Sequence, residues 1–418
     1  MRIDRLEKGR DILFYIALVI ECIAVIVDKS RLTNPYTTQT FRATALLFLI
    51  VLLLTEYTAR EWVIIALAVG LGIASYLYTG RDEIVRVAVF VAACRSMPLK
   101  RTMGVVFFTT LAGCILLVLL ALTGIFGEVS VTQLYRLEDG MTERFTLGFG
   151  HPNALQCMFY MMLLMGMYLF DKYIKWYLYV LLLAVTIGMY FLTDSRTGLM
   201  LGVFSILLAV ILHYPVQDDP VRDEVARFQA RSLGRQFLDI GLRSKKWSYV
   251  CGGLTVLLSV AGSVFAAFIS GPMGYHLGEA DYNLIWSVDS AINNRISNLY
   301  WTNGAHAGSI ETWKLMSDRE STQFFDMGWV RLFYWYGIIP AVIVTILFFF
   351  LLAECYRRRD AQALMLIVSL SIYTIIEAHL VSIYIGRNFL LLLFGTYWSS
   401  MLRADRGEGY YLPELVRR

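Results

Sequence analysis

The sequence predicts an all-α polytopic membrane protein with about twelve transmembrane helices and one large external loop. Three observations carry that prediction. Of its 418 residues, 57% are hydrophobic and only 17% charged, against roughly 25% charged in a soluble domain. Uncharged runs such as 43–55 and 105–122 recur along the chain, and several apolar runs reach the roughly 17–25 residues that a helix needs to cross a bilayer. The basic residues are also shared unequally between alternate connections.

In chain order, the apolar runs place spans at 11–28, 41–56, 61–79, 84–95, 103–126, 153–170, 176–193, 198–214, 248–270, 330–353, 363–383 and 387–402. Boundaries read this way carry an error of about 2–4 residues. The fourth span is short and carries Arg86, four residues after Asp82, so the two can pair along one helix face. Residues 1–10 are too charged, and the run after them too long, for a cleaved signal peptide. With both termini placed inside, 24 of the 37 Lys and Arg residues fall in inward segments and 12 in outward ones, Arg86 being the remainder. Basic residues collect on the cytoplasmic side, so both termini are expected there.

Two connections break the rhythm of one membrane domain over 1–418. Residues 215–247 read as a cytoplasmic loop whose seven basic residues would lie against anionic lipid. Residues 271–329 read as the large external loop. It holds Tyr275, Tyr282, Trp286, Tyr300, Trp301, Trp313, Phe324 and Phe325, too many aromatics for a disordered linker, and is expected to fold over the bundle. The six cysteines are scattered with no CxxC pair, and read as small packing residues.

Four polar segments sit where apolar runs meet water, and ionisable groups kept there are usually functional. In 144–153 (RFTLGFGHPN), Pro152 suits the first turn of a helix, where its missing N–H would have lacked a partner anyway. That helix start points its free N–H groups and positive dipole end outward, which favours an anion. Arg144 precedes it through a turn containing Gly148 and Gly150, and His151 and Asn153 flank the proline. The plainer reading is a capped helix with an interfacial arginine. In 193–198 (TDSRTG), Asp194 or Ser195 can cap the following helix. Arg196 can snorkel or offer its five donors to a phosphate. Two external arginines facing one cavity would hold a diphosphate by charge-assisted bonds without a metal.

The third segment runs from Asn293, Asn294 and Arg295 to Asp326 at the external mouth of the tenth span. Asp326 either caps that helix, accepts a proton from a substrate hydroxyl, or merely hydrogen-bonds and orients that group. Trp329 and Tyr334 fit an interfacial aromatic belt. The fourth places Glu377 and His379 inside an apolar run, with Arg387 close by as a partner. A histidine there also reads as a satisfied packing residue.

Read together, these segments resemble the Wzy-type O-antigen and capsular polysaccharide polymerases of the O-antigen ligase/polymerase superfamily. The shared pattern is an R-x-x-x-G-x-x-x-P-N segment (144–153), an S-R-T-G turn (195–198), a large external loop, and a D-x-x-aromatic segment ending in G-I-I (326–339). The resemblance covers roughly 140–400; the first five spans match only in hydropathy. It implies a GT-C-like bundle in a bacterial cytoplasmic membrane, acting as a metal-independent, cofactor-free glycosyltransferase. Glycan would pass from polyprenyl diphosphate to a lipid-linked repeat unit at the outer face. Arg144, His151, Asn153, Arg196, Arg295 and Arg387 would bind the diphosphate substrate, and Asp326, Glu377 and His379 would carry the chemistry.

No GxGxxG fingerprint, Walker loop or metal-spaced carboxylate cluster occurs in the sequence. The ligase branch carries a histidine near the end of the large loop. Here Asp326 stands at that place, with His276 and His306 well before it, which favours a polymerase. A ligase acting on a lipid or protein acceptor, and a flippase or other transporter, are the alternatives. Transporters tend to show internal repeats and a midplane site, and no repeat is visible here. The implied partners are a polyprenyl-diphosphate-linked oligosaccharide, the lipid bilayer, a chain-length regulator and a flippase, with no nucleic acid.

Overall fold

The computed structural model describes residues 2–32, 34–136, 140–213, 245–275, 283–292, 294–301, 308–358, 360–378 and 388–403. Each of the twelve apolar runs is helical there. The first eight give α1 (Arg2–Lys29), α2 (Thr37–Leu53), α3 (Ala59–Thr79), α4 (Glu83–Ala93), α5 (Leu99–Leu122), α6 (Pro152–Phe170), α7 (Trp176–Thr193) and α8 (Arg196–His213). Most of the basic loop 215–247 lies outside the described residues. The chain continues with α9 (Lys245–Tyr275), then α10 (Asn283–Ala291) and α11 (Ser297–Trp301) in the loop 271–329. It closes with α12 (Gly328–Tyr336), α13 (Ile338–Arg358), α14 (Ala361–Ile376) and α15 (Leu390–Arg403).

Six helices are long and apolar enough to cross a membrane, those of α3, α5, α6, α7, α9 and α13 among the described residues. Shorter apolar helices occur within α2, α8, α14 and α15. Burial separates centre from rim. In α6, 61% of the apolar window is buried, against 17% in α7, whose Leu181, Val185 and Phe191 face outward. Contiguous exposed apolar surface of that kind needs a cover, and a bilayer supplies it. Helix α14 is buried from 362 to 371, packed against α6, α8 and α9.

Polar pairs gather at the two ends of this bundle. At one end Arg95 meets Glu61 at 3.0 Å, Arg358 meets Glu354 at 2.6 Å, and Asp360 receives the hydroxyls of Tyr168 and Tyr397. At the other, the expected Arg86–Asp82 pair forms at 2.9 Å and Arg31 pairs with Glu128. The candidate site lies at this second end.

Two features depart from a bundle of unbroken helices. The approach to α6 is a two-stranded antiparallel hairpin, β1 (Ser130–Arg136) and β2 (Gly140–Phe145), with Val131 opposite Arg144. Its β-branched and aromatic residues favour strand, but the run is short beside the apolar spans that dominate the pattern. Gly148 closes the hairpin with φ +87, and a Cβ there would lie 2.7 Å from the Leu117 carbonyl. Only glycine meets both demands.

The expected tenth span, 330–353, is two helices broken at Gly337. Segment 314–317 of the loop before it fills the break. Ile338 N donates to Lys314 O at 3.0 Å, Ile339 N to Leu315 O at 3.1 Å, and Ser317 N to Tyr336 O at 3.3 Å. Backbone freed from a helix within apolar surroundings must find such partners. Hydropathy runs on across the break, so the sequence alone reads one helix.

The described part of the loop 271–329 packs onto the bundle. Ile296, Leu299 and Phe325 share an apolar core with Ala266, Ala267 and Met273 of α9 and Val330 and Tyr334 of α12. Buried Asp289 accepts from the backbone N–H groups of Ile296 (2.6 Å) and Ser297 (3.1 Å), starting α11. Trp329 is fully buried and donates from Nε1 to Ser371 O at 3.3 Å. It and Tyr334 therefore belong to the core and not to an interfacial belt, because Gly328 draws α12 inward. No disulfide joins the cysteines among the described residues.

Candidate functional site

Helix α6 starts as its sequence suggests. His151 is the N-cap, Pro152 opens the first turn, and His151 Nδ1 accepts from the Asn153 N–H at 3.1 Å. Partial burial of the ring, then the charge of Arg144, holds the His151 pKa below its ordinary value. The neutral ring is the form that can accept this bond.

Arg144 on β2 is fully buried. Its Nε donates to the Thr193 carbonyl at 2.7 Å and its Nη2 to Asn153 Oδ1 at 3.0 Å. One guanidinium thus ties the hairpin, the start of α6 and the end of α7, joining two motifs some forty residues apart. Asp194 ends α7 in the left-handed region at φ 48. Ser195 caps α8, its Oγ accepting from the Gly198 N–H at 3.3 Å.

The third and fourth motifs meet through a glycine. A Cβ on Gly328 would lie 2.5 Å from the Glu377 carbonyl, so its absence lets the start of α12 close on the end of α14. Asp326 and Glu377 are drawn together, and Arg295 pairs with both: with Asp326 directly, and with Glu377 Oε1 at 3.4 Å. Asp326 does not cap α12. That position is Met327, with no side-chain cap bond.

A cleft opens beside this trio, lined by Asn153, Gln156 and Tyr160 of α6, Ser195, Thr197, Gly198 and Leu201 around the start of α8, Arg295, and Tyr373 and Glu377. It encloses about 410 Å³ with its open mouth included. The Tyr160 hydroxyl lies 3.0 Å from Ser205 Oγ, and the Tyr373 hydroxyl donates to Cys157 Sγ at 2.7 Å. Helices α6 and α8 both begin at this cleft, which gives it two positive dipole ends.

The expected arrangement of Arg144 and Arg196 facing one cavity is not formed. Arg144 is spent on protein acceptors behind the cleft, and Arg196 is exposed while its neighbours Ser195, Thr197 and Gly198 line the wall. The reason is helical geometry: α8 begins at Arg196, and adjacent residues on a helix point in different directions. Arg295 is the arginine in the cleft. His151 stands at the helix start, its ring only partly covered. His379 and Arg387 lie outside the described residues, as do Asn293, His276 and His306.

Gln156 was not singled out by sequence. Its signal was present: Asn153, Gln156 and Tyr160 are spaced three and four apart, one face of a helix. Among the described residues no three His, Cys, Asp or Glu side chains cluster as a metal site requires. Compared with protein-family models, with curated proteins and with solved structures, the chain matches none.

Proposed function

We propose that the protein is a polysaccharide polymerase that moves a growing glycan from polyprenyl diphosphate onto a lipid-linked repeat unit at the outer face of a bacterial cytoplasmic membrane. The observation that carries this reading is the meeting of Arg295, Asp326 and Glu377 beside a cleft where two helices begin. In this reading the bundle is GT-C-like, crosses the membrane about twelve times and keeps both termini in the cytoplasm.

The chemistry needs an acceptor for one proton and a home for one departing diphosphate. The acceptor hydroxyl oxygen attacks the anomeric carbon of the donor sugar. The bond from that carbon to the diphosphate oxygen breaks, and the hydroxyl proton passes to a carboxylate and then to water. Glu377 lines the cleft and Asp326 is the more exposed carboxylate, its side chain 39% exposed against 21%; Asp326 is the base in this reading. Arg295 and the starts of α6 and α8 face the charge that develops on the diphosphate, where fixed donors are most effective. Arg144 supports them by fixing Asn153.

Arg295 also couples the two halves of the reaction. It pairs with Asp326 in this state, and an arriving diphosphate competes for the same guanidinium. As Arg295 turns to the diphosphate, Asp326 becomes available to the acceptor. The experiment is to place the full-length protein in liposomes with lipid-linked repeat units and resolve the products on a gel. A ladder of lengths is expected. Substrate left unextended overturns the reading, and a single transfer to another acceptor moves it to a ligase.

A further inference from the structure

Two hydrogen-bond donors in the cleft are not used by the protein. Gln156 is 4% exposed, and its Nε2 is buried with no partner. The Nε of Arg295 is likewise buried without a partner, and both residues line the same cleft. Leaving a buried N–H unpaired costs more than a made bond contributes, and nearly all such groups in native proteins are paired. Two of them in one cleft, both donors, describe a place kept for a ligand that only accepts.

The neighbouring residues make room for the Gln156 amide at the cleft wall. A Cβ on Gly198 would lie 2.4 Å from Gln156 Nε2 and 2.5 Å from its Cγ, so any other residue there displaces the amide. Glycine inside a helix is unfavourable relative to alanine, yet one stands in the first turn of α8. Thr193 Oγ1 lies 3.2 Å from Gln156 Oε1 and holds that oxygen on the far side of the amide. Its single proton also serves the Met189 carbonyl at 2.8 Å, the stronger bond, so the tether is light and the amide can turn to meet a ligand.

We infer that Gln156 is a positioning residue whose amide N–H donates to a phosphoryl oxygen of the lipid-linked diphosphate, beside the Nε of Arg295. The inference rests on the reading of the cleft as a polyprenyl diphosphate site, and names a residue that holds the ligand there. A phosphoryl oxygen accepts and cannot donate, which matches the two unpaired donors. A sugar hydroxyl would be served by either edge of the amide.

The test uses full-length protein in detergent, titrated by calorimetry with inorganic pyrophosphate and with a short-chain polyprenyl diphosphate, melting temperatures recorded alongside. Gln156→Glu keeps the shape and replaces the N–H donors with a charged oxygen. Gln156→Asn keeps the amide but withdraws it by one methylene, and is the gentler change should the first fail to fold. Both variants are expected to bind each ligand roughly tenfold more weakly or worse, the loss of a buried donor, with the Asn variant melting as wild type. Wild-type affinity in both variants overturns the proposal. So does a Glu variant that binds normally while the Asn variant does not, because the amide oxygen would then be the group in use. Lost pyrophosphate binding with intact lipid binding also overturns it, by marking a site for a free anion. The product ladder is scored separately: a wild-type ladder beside unchanged binding in the variants removes Gln156 alone. Lost binding in the variants with no wild-type ladder removes the polymerase reading alone.

Discussion

Asp326 stands next to a helix start that it does not cap, and its carboxylate is spent instead on Arg295. Asp326→Asn should therefore lower the melting temperature only by the loss of its partly exposed ion pair with Arg295, while removing the base. Loss of a general base is worth roughly 10²–10⁴-fold in rate, so the product ladder should all but vanish. Glu377→Gln is the companion lane. A wild-type ladder for Asp326→Asn beside a blank lane for Glu377→Gln would move the chemistry to α14. The arginines separate by burial. Arg144→Ala removes two charged hydrogen bonds from a fully buried group and should cost on the order of 2–5 kcal/mol of stability. Arg196→Ala, at an exposed position, should change stability by less than about 0.5 kcal/mol. Thermal melts of the two purified variants check this, and equal melting points would refute the bracing role of Arg144. His151 adds a pH dependence. Its folded pKa is lowered, so the folded chain holds this proton less firmly than the unfolded chain does. The neutral ring's contribution is full above the ordinary histidine pKa of about 6.5 and is lost as pH falls through the window below it. Melting temperature should drop on acidification through that window, and His151→Asn, a cap without a titrating ring, should flatten that part of the curve.

The helices themselves were legible because apolar runs long enough to span a bilayer admit few other structures. What interrupts them was not. The hairpin 130–145 carries a strand signal of only a few residues, and Gly337 sits inside an aromatic and apolar run long enough to read as one span. The break at Gly337 depends on a segment of loop folding back across it, a tertiary event that the sequence marks locally only by Gly337 and Pro340. Gly337→Ala tests that device: φ is +100 and a Cβ would lie 2.6 Å from the Leu315 carbonyl, backbone that cannot swing aside. Strained positions of this kind cost about 1–3 kcal/mol each, so the variant should melt clearly below wild type. A wild-type melt would show that the 314–317 segment yields without cost.

At the scale of the molecule, the candidate site was legible as four fragments but not as an arrangement. Residues 144–153, 193–198, 295, 326 and 377 meet only because α6, α8, α12 and α14 converge at one end of the bundle. The sequence placed the arginines at that end, yet side-chain direction decided that Arg295, and not Arg144 or Arg196, enters the cleft. Gln156 escaped notice because one polar residue in an apolar run reads as packing until the cleft beside it is seen. The proposed orientation in the membrane rests on the basic residues, 24 on the expected inner side against 12 on the outer. In a background lacking exposed Cys251, a cysteine at exposed Ser290 should react with an impermeant maleimide in intact cells, and one at exposed Lys172 should not. The reverse labelling would put the cleft on the cytoplasmic side.

The most direct test of the central claim counts bonds against leaving groups. In liposomes holding the purified protein and lipid-linked repeat units, each new glycosidic bond should release one polyprenyl diphosphate, so the two counts rise together at one to one from the first time point. Release without new bonds, or movement of the lipid-linked unit across the bilayer with neither, would contradict the polymerase reading.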